Sequence, residues 1–399
     1  MTMELTFLGT GSAYPSPSRG ASAVALRYEG ECWLFDCGEG TQTQFMRSQL
    51  KAEQVQLEPH LVAERDTTIV PQEMQNWLKG KISKIFITHL HGDHLFGLPG
   101  LLCTVSLQSS SLSNKQPIEI YGPIGLRKFL RTSMELSHSQ LVFPYVVHEL
   151  LPTEDQCFPE EWREPCALKT DDQLHPQELQ GKTIYLNPQE DCYNLVTHEQ
   201  FIVKAFRLFH RIPSFGFVIE ERKRPGRLQT QKLKEMGVHP GPLYGKLKNG
   251  QTITLDNGVT VFPMDVLEAP LPGRKICILG DCSRVVGDMS KNLCIDADVL
   301  VHEATLDDSQ SDKAEEHGHC TPKTAAEFAK SCKVKRLVLT HFSQRYKPTA
   351  LTNAGDDDVM ELKTQAKLVL EGQEVTLAED FMVIEIPLNK TKQEISSAH

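Results

Sequence analysis

Short apolar runs, each closed by glycine or by a single charged residue, set the frame of this 399-residue chain. Residues 3–8 predict a first strand that runs into the glycine-rich loop Gly9-Thr10-Gly11-Ser12. Residues 21–28 and 32–36 predict a hairpin around Glu29-Gly30, and Cys37-Gly38-Glu39-Gly40 predicts a turn before a helix over 41–52. A buried strand is predicted at 84–88. Helices are predicted over 97–108, broken locally at Pro99-Gly100, and over 125–136, with a strand at 118–121 between them. Further apolar strands are predicted at 201–209, 215–220, 275–280, 299–302 and 336–340, and a helix at 321–332.

Two stretches break the pattern. Residues 53–79 are polar, carry Pro59 and Pro71 and show no period, so an inserted loop is predicted, with a short helix over 72–78. Residues 152–200 are acidic and weakly patterned, and short strands or hairpins joined by mobile loops are expected there. Residues 391–399 read as a terminal tail. Strands and helices occur in both halves without a tandem repeat. That order fits one α/β domain over 1–390, built as two packed sheets with helices outside them. A doubly wound α/β sheet is the competing arrangement, and no G-x-G-x-x-G at a strand–helix junction supports it.

Composition narrows the classes. No apolar run approaches the roughly 18–20 residues that span a bilayer, and the N-terminus reads as a strand instead of a signal peptide. No membrane partner is expected. The 11 cysteines lack paired zinc-knuckle spacing and read as reduced thiols of a protein of the cytosol and/or nucleus. The net charge of −10 argues against a protein that coats nucleic acid. One basic island stands out at 220–248, with Arg222, Lys223, Arg224, Arg227, Lys232, Lys234, Lys246 and Lys248 against Glu220, Glu221 and Glu235. Glycine and proline punctuate it. It reads either as a solvated charged loop or as an arm that contacts phosphates.

The densest chemical signal is Thr88-His89-Leu90-His91-Gly92-Asp93-His94, directly after a predicted strand. Zinc takes nitrogen and oxygen ligands at roughly 2.0–2.2 Å. Ligands so close in sequence suit two ions side by side. His89 and His91 can reach one while Asp93 and His94 turn toward the other, with Gly92 allowing the bend. A loop with incidental histidines is the bland alternative, and the crowding of ligand-type residues weighs against it. His210, Asp281 and His341 each follow an apolar predicted strand. Singly, a strand-end histidine is more often surface or core, and Asp281 could cap a helix. Together, the ends of neighbouring strands would present all three on one rim. A carboxylate can face one ion with each oxygen, which assigns Asp281 as the bridge.

This set of residues resembles the metallo-β-lactamase superfamily, and within it the chain closely resembles short-form tRNase Z, zinc phosphodiesterases of the ELAC type. The likeness covers nearly all of 1–390. It rests also on Phe7-Leu8-Gly9-Thr10-Gly11, Phe35-Asp36-Cys37-Gly38-Glu39-Gly40-Thr41-Gln42, residues 206–217, Gly280-Asp281, His302-Glu303-Ala304-Thr305, His317-Gly318-His319 and Thr340-His341-Phe342-Ser343. The metal loop alone is shared with glyoxalases, lactonases and β-lactamases. The 302–305 segment and His319 are the tRNase Z-like marks.

The resemblance implies a metallo-β-lactamase-like αββα four-layer sandwich with a protruding flexible arm. It implies two Zn2+ per chain, one held by His89, His91 and His210, the other by Asp93, His94 and His341, with Asp281 between them. It implies hydrolytic removal of the 3′ trailer from precursor tRNA, leaving a tRNA 3′-hydroxyl and a trailer 5′-phosphate. Asp93 would act as general base, and His319, oriented by Glu303, as general acid. His302 and His317 would support them. It further implies a homodimer, the arm of one subunit gripping tRNA at the other's site, with Arg19, Ser343 and Arg345 as further phosphate contacts.

Two features depart from the family pattern. His319-Cys320-Thr321 replaces His-Ser-Thr, and Cys320 is expected to cap the following helix less well than serine and so to loosen His319. Residues 53–79 replace a much shorter link. The competing functional readings are another hydrolase of the superfamily, acting on a small ester or phosphodiester, and a catalytically inactive RNA-binding protein. The intact ligand set weighs against the second.

Overall fold

In the computed structural model, residues 2–48, 81–108, 116–164, 174–198, 200–352 and 357–389 are described. The inserted stretch 53–79, its expected helix at 72–78 and the tail 391–399 lie outside them. The apolar runs assemble into two large sheets. The first holds β1 (Met3–Gly9), β2 (Ala23–Tyr28), β3 (Glu31–Phe35), β4 (Lys81–Phe86), β5 (Ile118–Pro123) and β6 (Tyr145–Leu150), side by side in that order. Short strands β7 (Glu178–Leu179) and β8 (Thr183–Ile184) pair with β6, and β21 (Val383–Glu385) pairs with β1. The second sheet contains β9 (Tyr193–Thr197), β10 (Phe201–Phe209), β11 (Ser214–Glu221), β14 (Lys275–Leu279), β15 (Arg284–Val285), β16 (Val299–Glu303), β17 (Arg336–Thr340) and β20 (Glu374–Leu377). Two small pairs stand apart: β12 (Ile253–Thr254) with β13 (Thr260–Val261), and β18 (Tyr346–Lys347) with β19 (Asp357–Asp358).

Strand direction decides where the chemistry collects. β3 through β6 are parallel, as are β14, β16, β17 and β20. β10 is antiparallel to β11, and β11 to β14, so β10 and β14 run the same way. The carboxyl ends of β10, β14, β16 and β17 therefore lie on one rim, the place where ligands sit in open α/β sheets. The two sheets join there: the Phe215 amide donates to the Thr88 carbonyl at 3.0 Å.

The inner faces of both sheets form one core. Phe7, Phe35 and Phe86 from the first meet Phe217, Ile278 and Val301 from the second. Phe86 stacks on Phe35 at 4.9 Å and lies 5.4 Å from Phe217. Helices cover the outer faces. Leu98–Gln108 and Leu126–Leu136 pack on the first sheet, and Pro322–Ser331 and Met360–Val369 on the second. The order helix, sheet, sheet, helix is the expected sandwich, and the doubly wound alternative is excluded by the second sheet. No described helix is long and apolar enough to cross a membrane.

Two expected boundaries move. The helix expected over 41–52 is Thr41–Arg47, because Ser48 turns to extended backbone at φ −69° and ψ 159°. The basic island expected at 220–248 is part of a longer excursion between β11 and β14. Its two limbs pair at Arg224 with Leu271 and at Leu228 with Leu267. Beyond them, helices Thr230–Glu235, Pro242–Lys248 and Pro263–Val266 join β12 and β13 around a cluster of their own: Leu233, Val238, Leu247, Ile253, Val261 and Val266. The excursion thus has an apolar core of its own, which the reading as a flexible arm did not include.

A buried ion pair pins the base of this arm. Glu221 ends β11, and Arg274 precedes β14 at 1% exposure. The guanidinium donates to both Glu221 oxygens at 2.8 Å and to the Ile386 carbonyl at 3.2 Å. Burial pushes the Glu221 carboxyl up, and the Arg274 charge and bonds outweigh that and hold it below its usual value. Arg274→Ala is expected to cost about 3–5 kcal/mol in denaturant unfolding, since it strands a buried carboxylate. A loss of about 1 kcal/mol or less, typical of an exposed pair, would refute the pinning.

Candidate active site

All seven side chains expected to be metal ligands meet at the rim. His89–His94 follow β4, His210 follows β10, Asp281 follows β14 and His341 follows β17. They form two neighbouring groups, His89 with His91 and His210, and Asp93 with His94, Asp281 and His341. In the first, His91 Nδ1 lies 3.1 Å from both His89 Nε2 and His210 Nε2. In the second, His94 Nε2 and His341 Nε2 are 3.1 Å apart, and His341 Nε2 is 3.3 Å from Asp93 Oδ2. Asp281 stands between the groups. Its Oδ1 is 3.3 Å from His94 and from His341, while Oδ2 is 3.8 Å from His89 and 4.0 Å from His210. Ligands on a tetrahedral zinc with bonds of roughly 2.0–2.1 Å sit about 3.3 Å apart. Donor type and spacing both fit.

The outer ring nitrogens are fixed, which aims the inner ones. His94 Nδ1 donates to Asp36 Oδ2 at 2.7 Å, and His210 Nδ1 to the Gly318 carbonyl at 2.7 Å. His89 Nδ1 meets the Thr88 hydroxyl at 3.0 Å, and that hydroxyl donates to Asp36 at 2.9 Å. His341 Nδ1 meets the Thr305 hydroxyl at 3.0 Å, which donates to Glu303 at 2.6 Å. Such partners set tautomer and ring orientation at metal sites. Gly318 holds its carbonyl in place with φ 74°, and a Cβ there would fall 2.7 Å from His210 Nδ1. Sequence reading gave Asp36 and Thr305 no role, although Asp36 ends an apolar strand as the ligands do.

Burial keeps His89, His91 and His210 neutral, the last pushed down to about 4. Neutral imidazole is the ligand form. Burial also acts on His94, but Asp281, Asp36 and Asp93 outweigh it and raise its pKa well above the usual value. The same concentration of negative charge attracts a divalent cation.

Beside the ligands stands a polar pair. His319 Nδ1 is 2.9 Å from Glu303 Oε1 and 3.8 Å from Asp281 Oδ2. Glu303 is 1% exposed and also accepts from the Cys282 amide at 2.9 Å. Burial works to lower the His319 pKa, yet Glu303 and then Asp281 raise it to about 9. The expected loosening at Cys320 is not seen. Cys320 is buried, and Thr321 caps the helix, accepting from the Thr324 amide at 3.5 Å. Asp93 Oδ2 accepts from the Ala13 amide at 2.6 Å. Burial pushes its carboxyl up, and His94 and His341 together hold it well below the ordinary range.

Asp93, Asp281 and His319 line a cleft of about 500 Å³ with His91, His210, Phe96 and Arg211. Exposed Arg211 escaped the sequence reading, having no spacing to mark it. Ser343 and Arg345 line an adjoining groove of about 720 Å³. Arg19 does not serve as an exposed phosphate contact: it is 3% exposed and donates to the Thr10 hydroxyl at 2.9 Å. His302 is buried with Cys282 and Cys320, and His317 is exposed, so neither joins the ligand groups. On the arm, Arg222, Lys223, Arg227, Lys232, Lys234, Lys246 and Lys248 are exposed, whereas Arg224 is half-buried at the base and reaches the Asn389 carbonyl at 3.3 Å. Gly92 does not form the expected bend; it opens the short helix Gly92–Leu95.

Known proteins resemble this chain in sequence and fold. The metallo-beta-lactamase superfamily profile matches residues 17–102, and the beta-lactamase superfamily domain matches 246–342. The human zinc phosphodiesterase ELAC protein 1 is 64% identical over 391 residues, covering 98% of this chain and all of the relative. A Bacillus velezensis ribonuclease Z is 36% identical over 389 residues, covering 96% of this chain and 99% of the relative. The crystal structure of human tRNase Z, short form, superimposes with a TM-score of 0.63 at 50% identity, covering 96% of this chain and all of that one. The chain belongs to the ELAC protein 1 family of zinc phosphodiesterases, within the metallo-beta-lactamase superfamily.

Proposed function

We propose that this protein is a zinc-dependent endoribonuclease that removes the 3′ trailer from precursor tRNA by phosphodiester hydrolysis. The observation that carries the reading is the Glu303–His319 pair beside the shared Asp281 carboxylate, in a chain whose relatives are named zinc phosphodiesterase, ribonuclease Z and tRNase Z. Two zinc ions per chain are proposed, one for each ligand group, with Asp281 serving both. Zinc bound there supplies Lewis acidity, which acidifies water and offsets the charge that builds on phosphoryl oxygens.

The chain's own groups do the proton work. Asp93, held ionised, orients the attacking water and accepts its proton. His319 carries a proton at neutral pH. Its Nδ1–H is engaged by Glu303, which leaves Nε2–H to protonate the departing 3′-oxygen. The P–O3′ bond breaks as the new P–O bond forms, giving a tRNA 3′-hydroxyl and a trailer 5′-phosphate. The exposed arm cations bind tRNA phosphates. The proposed assembly is a homodimer, the arm of one subunit serving the other's site. The ten free cysteines among the described residues accord with the cytosol or nucleus.

Purified protein incubated with a 3′-extended tRNA is the test. Trimming to the stated ends, lost on chelation, is the expected result, with near two zinc ions per chain by elemental analysis. An uncut precursor with zinc-loaded protein would refute the reading. Reversing Lys246 and Lys248 to glutamate is expected to raise KM for the precursor roughly tenfold and to flatten its salt dependence. Equal losses on a small chromogenic diester would remove the arm from RNA binding.

A further inference from the structure

Phe96 is 63% exposed, an unusual place for a large ring. Scattered exposed apolar residues need no account, and Leu107 and Leu368 are examples. Phe96 differs: among the described large exposed hydrophobics, it is the one that lines the metal cleft, with His91, Asp93 and Arg211. It follows Asp93 by three residues on one helical turn, a spacing that brings side chains to roughly 5–6 Å at Cβ.

The ring is also held. Its backbone amide donates to the Gly92 carbonyl at 2.9 Å. The ring lies over Gly92, where an added Cβ would fall 2.4 Å from Cε2. A side chain at 92 would push the ring out of this position, so the glycine lets the ring lie where it does. Phe129, from the helix Leu126–Leu136, stacks beside it at 6.2 Å with the planes 17° apart. A ring braced on two sides and open on the rest loses little freedom on binding.

We infer that Phe96 is a stacking platform for the base of an unpaired nucleotide flanking the scissile phosphodiester. The inference rests on the RNA reading above and adds a base-binding subsite to it. The charges in the cleft account for phosphate: the ligand groups, His319 and exposed Arg211. A base needs a flat apolar face, and Phe96 offers one. Stacking tolerates every base, because each has a π-face. The subsite therefore binds without reading sequence and favours purines modestly for their larger area.

The test is a cycle between protein and substrate. A 3′-extended tRNA is prepared with single abasic positions on either side of the cleavage site. Wild type, Phe96→Ala and Phe96→Trp are compared by kcat/KM, with zinc content measured for each. Phe96→Ala is expected to lose roughly tenfold to a hundredfold, and Phe96→Trp to restore most of it. At one flanking position the abasic substrate should cost wild type a similar factor and cost Phe96→Ala little more. Losses that multiply at every position overturn the inference, as does a Phe96→Ala loss accompanied by lost zinc and equal on a small chromogenic diester. Failure of wild type to cut the intact precursor overturns the RNA reading itself, a separate result.

Discussion

Asp93→Ala is expected to slow cleavage of 3′-extended tRNA by about 10⁴-fold or more, with RNA binding retained. The side chain meets two demands. It stands in the candidate ligand group with His94, Asp281 and His341, and it is the carboxylate proposed to take the water's proton. The fold invests in its position: the Ala13 amide donates to it, and His341 stands 3.3 Å away. Asp93→Asn keeps the shape and loses the charge, so it separates position from basicity. Single-turnover rates measure the chemistry, and a gel-shift titration measures binding. Cleavage within tenfold of wild type would end the assignment. Binding lost in parallel would recast Asp93 as a structural residue.

His319→Ala carries the second large effect, a loss of roughly 10²–10⁴-fold on RNA. The reason lies in the leaving group. A ribose 3′-alkoxide is a strong base and needs a proton, whereas a nitrophenolate leaves readily without one. The loss on a nitrophenyl diester should therefore be far smaller; equal losses would show that His319 does something else. The pH profile supplies a further check. Burial opposes the charge on His319, and Glu303 prevails, so the proton is kept below about pH 9 and lost as pH rises through it. The alkaline limb of kcat/KM should fall there. In Glu303→Gln that limb should move to lower pH, since the main stabiliser of the imidazolium is gone. A limb that does not move would separate Glu303 from the acid's proton.

The cluster of candidate ligands was legible because its physics is local and dense. His89, His91, Asp93 and His94 crowd one strand end, and His210, Asp281 and His341 repeat the context of an apolar strand closed by a polar residue. Parallel strands buried on both faces read as plain apolar runs, which made both sheets recognisable. The partners that aim the ligands were not legible. Asp36, Thr88, Thr305 and the Gly318 carbonyl act one at a time, with no period or spacing to mark them. The apolar core of the arm escaped for a related reason. Its core pairs Leu233 and Leu247 with Val261 and Val266, too sparse in the sequence to reveal one cluster. Arg19 looked like an exposed cation and is instead buried beside Thr10, a contact set by long-range packing.

The rim draws its donors from residue 89 to residue 341, out of both sheets. The first group, His89, His91 and His210, is complete by residue 210, whereas the second, Asp93, His94, Asp281 and His341, needs the chain as far as residue 341. During synthesis, capture at the second group must therefore wait until β17 and His341 have left the ribosome and docked. Ion uptake at that group then belongs to the last assembly steps, and its free energy adds to that of the finished fold. A cell short of zinc should accumulate full-length but thermally weaker molecules, and truncated products should stay inert however much metal is supplied.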